Sequence, residues 1–255
     1  MLGSARSLGR RVLGVRRTPT YYLPWLVRPG LDCVLVLNNV ESRFRPEFNK
    51  GPFAASVVQY DARGAVIGRH DVQLEDPTAT AEVRLAADGA GTGFVTFTAA
   101  RIVSDQYVTL SDGTSYTATH GRHEFVERYP RLIRILLAGA GRLGAAFGRT
   151  LPVFVKDQYL YLGAGCRSHV LLMNLSNVTN RVRVVVTAQD ERRRRLVTIP
   201  PMGSHLLDVT TFALRSAESI SVVRARFEAN AWFNLYVVGA GRKDLAGPLS
   251  FMHVK

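Results

Sequence analysis

Cysteine is nearly absent: the 255-residue chain holds two, Cys33 and Cys166. Two thiols cannot build a disulfide framework, and with no C-x-x-C pair a zinc-ribbon site is excluded as well. Buried free thiols in a reducing compartment are expected, and a single bridge would need the two segments to be neighbours. The compartment expected is the cytoplasm, with peripheral membrane contact. The chain has no run of roughly 18 or more apolar residues, so no spanning helix is expected. Acid is scarce: 20 Asp and Glu stand against 33 Lys and Arg, a formal net charge of +13, and nearly all of the excess is Arg. Such a field favours anionic partners, namely nucleic acid, anionic lipid or acidic polysaccharide, although Arg also serves plain solubility. Signatures of chemistry are missing too. There is no G-x-S-x-G, no Walker sequence and no H-E-x-x-H.

Apolar residues are plentiful. At 47% hydrophobic and 21% charged, the composition is that of a globular protein that buries a core. The length suits two domains of about 100–150 residues. The first 17 residues carry Arg6, Arg10, Arg11, Arg16 and Arg17 and no acid. They lack the uninterrupted apolar core of a secretory signal. An organellar targeting peptide, a surface-binding arm and a solvated tail all fit this composition, the tail being the default.

The rest reads as a duplication. Val34 to Asn38 and Val170 to Asn174 are apolar runs closing on Asn. Each is followed by a polar stretch and then a second apolar run. Ser56–Tyr60, the turn Asp61-Ala62-Arg63-Gly64 and Val72–Leu74 form the clearest hairpin. Val182–Val186 and Leu196–Ile199 repeat it. Tyr159–Leu162 answers Tyr22–Trp25, where Pro24 points to an edge strand. Pro200-Pro201 breaks the second half where Pro77 breaks the first. Short strands at intervals of roughly 8–12 residues predict sandwiches or barrels. The expectation is an all-β chain of two tandem β-sandwich units of immunoglobulin- or fibronectin-like size, joined by an amphipathic helix. The boundaries are 1–19 for a basic, flexible arm, 20–128 for the first sandwich, 129–152 for the helix and 153–255 for the second sandwich.

That helix is expected over 130–148, with Pro130 at its start and Pro152 beyond its end. Arg131, Arg134, Arg142 and Arg149 fall near one face; Leu132, Ile135, Leu136, Leu143 and Phe147 fall on the other. Gly139-Ala140-Gly141-Arg142-Leu143-Gly144 matches G-x-G-x-x-G, and Asp157 lies near the distance of a ribose-binding acid. A dinucleotide fold needs further βα units. Everything downstream reads as β, so these glycines are expected to let the helix pack closely.

Other groups give no constellation. His120 and His123 sit at a strand end, where i and i+3 point to opposite faces, so a structural hydrogen bond is expected, with His253 as the counterpart of His120. The carboxylate pairs Glu75-Asp76, Asp190-Glu191 and Glu124 with Glu127 are placed at turns or solvated edges. Asn174-Leu175-Ser176 and Asn177-Val178-Thr179 match the glycosylation sequon, but Asn38 and Asn174 are expected to tie strand ends by local hydrogen bonds. Arg192-Arg193-Arg194-Arg195 is the strongest charge run and is expected at a hairpin tip, as an anion-contact patch or as protection against edge pairing. Aromatics do not interleave with the basic clusters in sequence, so no base-stacking platform is expected.

The expected function is a non-catalytic binding or scaffold protein meeting an anionic partner, whether polysaccharide, lipid surface or nucleic acid. Its anion-binding residues would be Arg192, Arg193, Arg194, Arg195, Arg131, Arg134 and Arg142. No cofactor, metal or catalytic residue is assigned. Membrane contact would use the N-terminal arm and the helix. The alternative is an enzyme for a carbohydrate or other polar substrate, with its site between the two units.

Overall fold

The computed structural model describes residues 14–39, 53–75, 79–85, 90–99, 105–163, 167–188, 191–213, 221–241, 245 and 249–253. Cys166, residues 1–13 of the basic arm and the hairpin residues 189–190 lie outside them. The first half runs β1 (Arg16–Val27), β2 (Asp32–Asn38), β3 (Phe53–Tyr60), β4 (Val66–Leu74), β5 (Thr80–Arg84), β6 (Gly91–Ala99), β7 (Tyr107–Ser111), β8 (Tyr116–His120) and β9 (Arg122–Arg128). Helix α1 (Arg131–Ala146) follows. The second half runs β10 (Phe154–Leu162), β11 (Arg167–Asn174), β12 (Asn180–Ala188), β13 (Glu191–Ile199), β14 (Ser204–Asp208), a short helix α2 (Val209–Ala213), β15 (Ser221–Ala229), β16 (Phe233–Ala240) and β17 (Leu249–His253).

The strands form four antiparallel sheets, so the chain is all-β in its bulk. Their orders are β4-β3-β6-β1-β9, β5-β2-β7-β8, β10-β15-β12-β13 and β14-β11-β16-β17. Read from β13 and from β14, the second half has the same order as the first, strand for strand; among the described strands, β9 alone has no counterpart.

Burial separates the halves. β2 alternates, with Cys33, Leu35 and Leu37 buried and Val34 and Val36 half-buried. β11 holds the same place in its sheet, yet every residue from Ser168 to Asn174 is buried. The cause is packing on both faces. Leu171, Met173, Tyr236, Val238 and Phe251 join the core of the first half. Val170, Leu172, Phe233, Leu235 and Val237 face the core of the second. A strand covered on both sides reads as a continuous apolar run. β1 is buried in the same way from Tyr21 to Leu26. The Tyr21 hydroxyl receives the Gln106 amide at 3.0 Å on one face, and Tyr22 meets the Tyr236 ring edge-on at 6.2 Å on the other. Burying side chains such as these contributes about 1.5–3 kcal/mol each.

Pro24 does not make β1 an edge strand. β9 pairs with residues 16–22 and β6 with residues 21–27. Pro19 and Pro24 therefore each sit where β1 has one neighbour, the placement in which proline's missing donor is tolerated. The ladder to β9 also draws Arg16 and Arg17 out of the expected arm and into the sheet. Gly93 is set by close approach: a Cβ there would stand 1.9 Å from the Tyr60 carbonyl and 2.6 Å from the Trp25 indole nitrogen.

Candidate functional site

Helix α1 presents the most unusual surface. It turns Gly141 fully inward and half-buries Ile133 and Leu137. The apolar face expected to pack is the one left open. Leu132 is 67% exposed, Leu136 58%, Leu143 69% and Phe147 77%. At 3.6 residues per turn these four make one stripe, flanked by Arg131 and Arg142. No acid occurs from Pro130 to Thr150. The packing side is narrow: Ile133 and Leu137 are only half-covered, and the residue of α1 that is fully buried is a glycine. Gly141 lies where a Cβ would be 2.4 Å from a guanidinium nitrogen of Arg181, whereas Gly139 faces open space and Gly144 faces the Arg149 carbonyl at 3.0 Å. Two of the three glycines in the G-x-G-x-x-G string therefore serve close approach. Asp157 pairs with Arg224 and Arg226.

Along this same flank of α1, Arg131, Arg134, Ile135 and Ala138 line a cavity of ≈ 470 Å³ together with Asn177, Val178, Thr179 and Pro201. Asn177 is held in place: its side chain accepts from the Tyr129 amide at 2.8 Å and donates to the Tyr129 carbonyl at 3.2 Å. Two of the arginines expected to bind anions thus share one cavity, and Arg142 stands beside the exposed stripe.

Arg192 to Arg195 do not form a hairpin tip. Glu191 already pairs with Ala188, and the ladder continues as Arg192↔Thr187, Arg193↔Val186, Arg194↔Val185 and Arg195↔Val184. Strand alternation splits the run, with Arg192 and Arg194 on one face and Arg193 and Arg195 on the other. β13 is an edge strand, and Arg193 is tied to Glu191 at 2.8 Å. The face that takes Arg192 and Arg194 also carries Arg181, Arg183, Arg224 and Arg226. Reading β12 and β15 at period two would have found these four in the sequence.

The junction between the halves is filled with paired polar groups. Glu127 is fully buried, not at a solvated edge, because the β11–β12 segment covers it. Its amide donates to the Leu175 carbonyl at 2.9 Å. Its carboxylate accepts from Arg17 at 3.1 Å and from the Tyr129 hydroxyl at 2.6 Å. Glu124 accepts from Asn234 at 3.1 Å, and Asn234 in turn accepts from Lys156. The Lys156 ammonium lies 5.5 Å from the Trp232 ring centre and 5.6 Å from that of Phe233. Burial brings its pKa down to about 8, with Glu124 opposing the shift and Arg122 adding to it. Burial likewise pushes the Cys33 thiol up to about 12, so it stays a neutral core group.

The histidines do not converge. His120 Nδ1 meets the Gly121 carbonyl at 2.9 Å, while His123 packs edge-on against Tyr21 at 4.9 Å. The side chain of His253 lies outside the described residues. Among the described residues no group of three or more His, Cys, Asp or Glu could hold a metal, and no helix is long and apolar enough to cross a membrane. Asn174 is wholly buried. It donates to the Val178 and Pro200 carbonyls at 2.7 Å each, while Asn38 reaches across to the Asp105 carbonyl at 2.8 Å. No protein-family model matches the chain, and no curated protein matches it.

Proposed function

We propose that the chain is a non-catalytic binding protein that docks on an anionic lipid surface through α1. One observation carries this reading. Leu132, Leu136, Leu143 and Phe147 form an exposed stripe on an acid-free helix whose flank bears Arg131 and Arg142. An interfacial helix has this composition, with an apolar face for the acyl boundary and arginines for the headgroups. Each Arg near an anionic leaflet contributes about 1 kcal/mol, and each leucine that leaves water about 1.5–3 kcal/mol. Together these suffice for reversible attachment. The matching strand orders support a further part of the reading, that the chain arose from two copies of a two-sheet sandwich of immunoglobulin-like size. In this reading the helix is the segment inserted between copies.

Vesicle sedimentation tests the docking. The protein should pellet with vesicles containing phosphatidylserine at low salt and stay in the supernatant with phosphatidylcholine alone. Leu136→Asp combined with Leu143→Asp should weaken binding by about 100-fold or more, given two lost leucine insertions. A protein that remains in solution with the anionic vesicles at low salt would end the proposal.

A further inference from the structure

The sheet β10-β15-β12-β13 has one face in the second core, through Leu160, Val223, Phe227, Val184 and Val197. The ladders fix what stands on the opposite face. One row across the strands reads Asp157, Arg226, Val185, Arg194. The next reads Tyr159, Arg224, Thr187, Arg192. Beyond it Tyr161 pairs with Val222, and on the other side Arg183 pairs with Glu228. Rows lie about 7 Å apart and strands about 4.8 Å apart. With Arg181 at the end nearest α1, six guanidinium groups share this face with two carboxylates.

The arginines are set, not loose. Asp157 holds Arg224 at 3.1 Å and Arg226 at 3.8 Å. Glu228, 6% exposed, holds Arg226 at 3.1 Å and also pairs with Arg183. Val185 is 2% exposed although it points outward, since arginine stems can cover apolar surface while their heads stay in water. Tyr159 is 63% exposed and Tyr161 56%. They stand two residues apart on one edge strand, with both rings on the arginine face. The sequence gives no sign of aromatics beside the Arg run, because Tyr159 and Arg192 are 33 residues apart; the ladder through β15 and β12 brings them into one row.

We propose that this face binds single-stranded nucleic acid, with Tyr159 and Tyr161 stacking on unpaired bases and Arg192, Arg194, Arg224 and Arg226 meeting phosphates. An antiparallel sheet with aromatic rings beside a cationic track is an arrangement that single-strand binders use. A sulfated polysaccharide would answer the arginines and leave the two rings without a base to stack on. The site is separate from α1 and does not rest on the lipid reading.

Fluorescence anisotropy with a labelled single-stranded oligonucleotide of mixed sequence tests it, with the matching duplex and heparin as comparison probes. The single strand should bind at 50 mM salt and more tightly than the duplex. Tyr159→Ala with Tyr161→Ala should weaken single-strand binding about tenfold per ring while leaving heparin binding and the salt slope unchanged. Arg192→Ser with Arg194→Ser should lower the log–log salt slope by about 1.4, at about 0.7 for each phosphate. All four positions are on a solvent-facing sheet surface, and circular dichroism spectra matching those of the parent would show that the variants fold. Absence of binding at 50 mM salt overturns the proposal. So does unchanged oligonucleotide binding in the tyrosine variant, which would make the face a general polyanion patch, and so does loss of binding in Leu136→Asp with Leu143→Asp alone.

Discussion

Lys156 is a charge placed where a charge is costly. Its ammonium has Asn234, the Trp232 and Phe233 rings, Glu124 and Arg122 around it. Desolvation dominates, so its pKa falls from 10.5 to about 8. Between these values the unfolded chain still holds a proton that the folded chain has released. Stability therefore rises with pH across that window, and below pH 8 the full penalty is present. Urea denaturation of the parent and of Lys156→Met at pH 7 and pH 10 isolates the effect, since the other titrating groups are common to both. The parent should gain about 1–3 kcal/mol relative to the variant between the two values. A difference that stays flat would show an ammonium in contact with water. Glu127 is the converse case, a buried carboxylate made tolerable by Arg17 and Tyr129. Neither residue stands out in the sequence, where Glu127 looks like one of a solvated pair. Its burial comes from the β11–β12 segment, about 50 residues further on.

Elements differ in how legibly the sequence encodes them. The β3–β4 hairpin is plain because Asp61 and Gly64 encode its turn locally. The Asp61 carboxylate accepts the Arg63 and Ala65 amides at 2.9 and 2.8 Å, and Gly64 has φ +83°. The extent of α1 is also readable, to within two residues at each end. Its orientation is not. Periodicity shows that a helix has an apolar stripe but not whether anything covers it, and here the covered side is centred on Gly141, with Ile133 and Leu137 half-buried beside it. This makes opposite predictions for two neighbours. Gly139→Ala should stabilise the protein by about 0.5–1 kcal/mol through helix propensity, because its Cβ enters open space. Gly141→Ala should give no such gain, since Arg181 must move to admit the methyl group. Thermal unfolding of the two variants, with helix content followed by circular dichroism, distinguishes them; equal gains would mean that α1 does not rest on Arg181. The arginine run shows the same limit on one strand: its charge is readable, but the alternation that splits it depends on where β13 begins.

At the scale of the molecule, each half is readable strand by strand while the relation between halves is not. Val34–Leu37 and Val170–Met173 are equally apolar, so nothing local says that one alternates and the other is covered twice. The first core takes Leu171, Met173, Tyr236, Val238 and Phe251 from the second half. The turn at Ala62 is also bonded to Ser204 at 3.1 Å. The halves should therefore unfold together. Calorimetry of the full chain should show one transition, and a fragment of residues 14–128 should lack cooperative unfolding because its core is open. Two resolved transitions would contradict the shared core. The doubly covered sheet β14-β11-β16-β17 also bears on how much substitution each half can tolerate. In β2 a substitution at Val34 or Val36 meets solvent on the open face and can be tolerated. In β11 both faces are committed, so a polar replacement at either parity meets a packed core. A saturation mutagenesis profile should show period two along β2 and a flat, intolerant band along β11. Two strands in the same sheet position therefore differ in what they tolerate: β2 keeps one face on which side chains can change, and β11 keeps none.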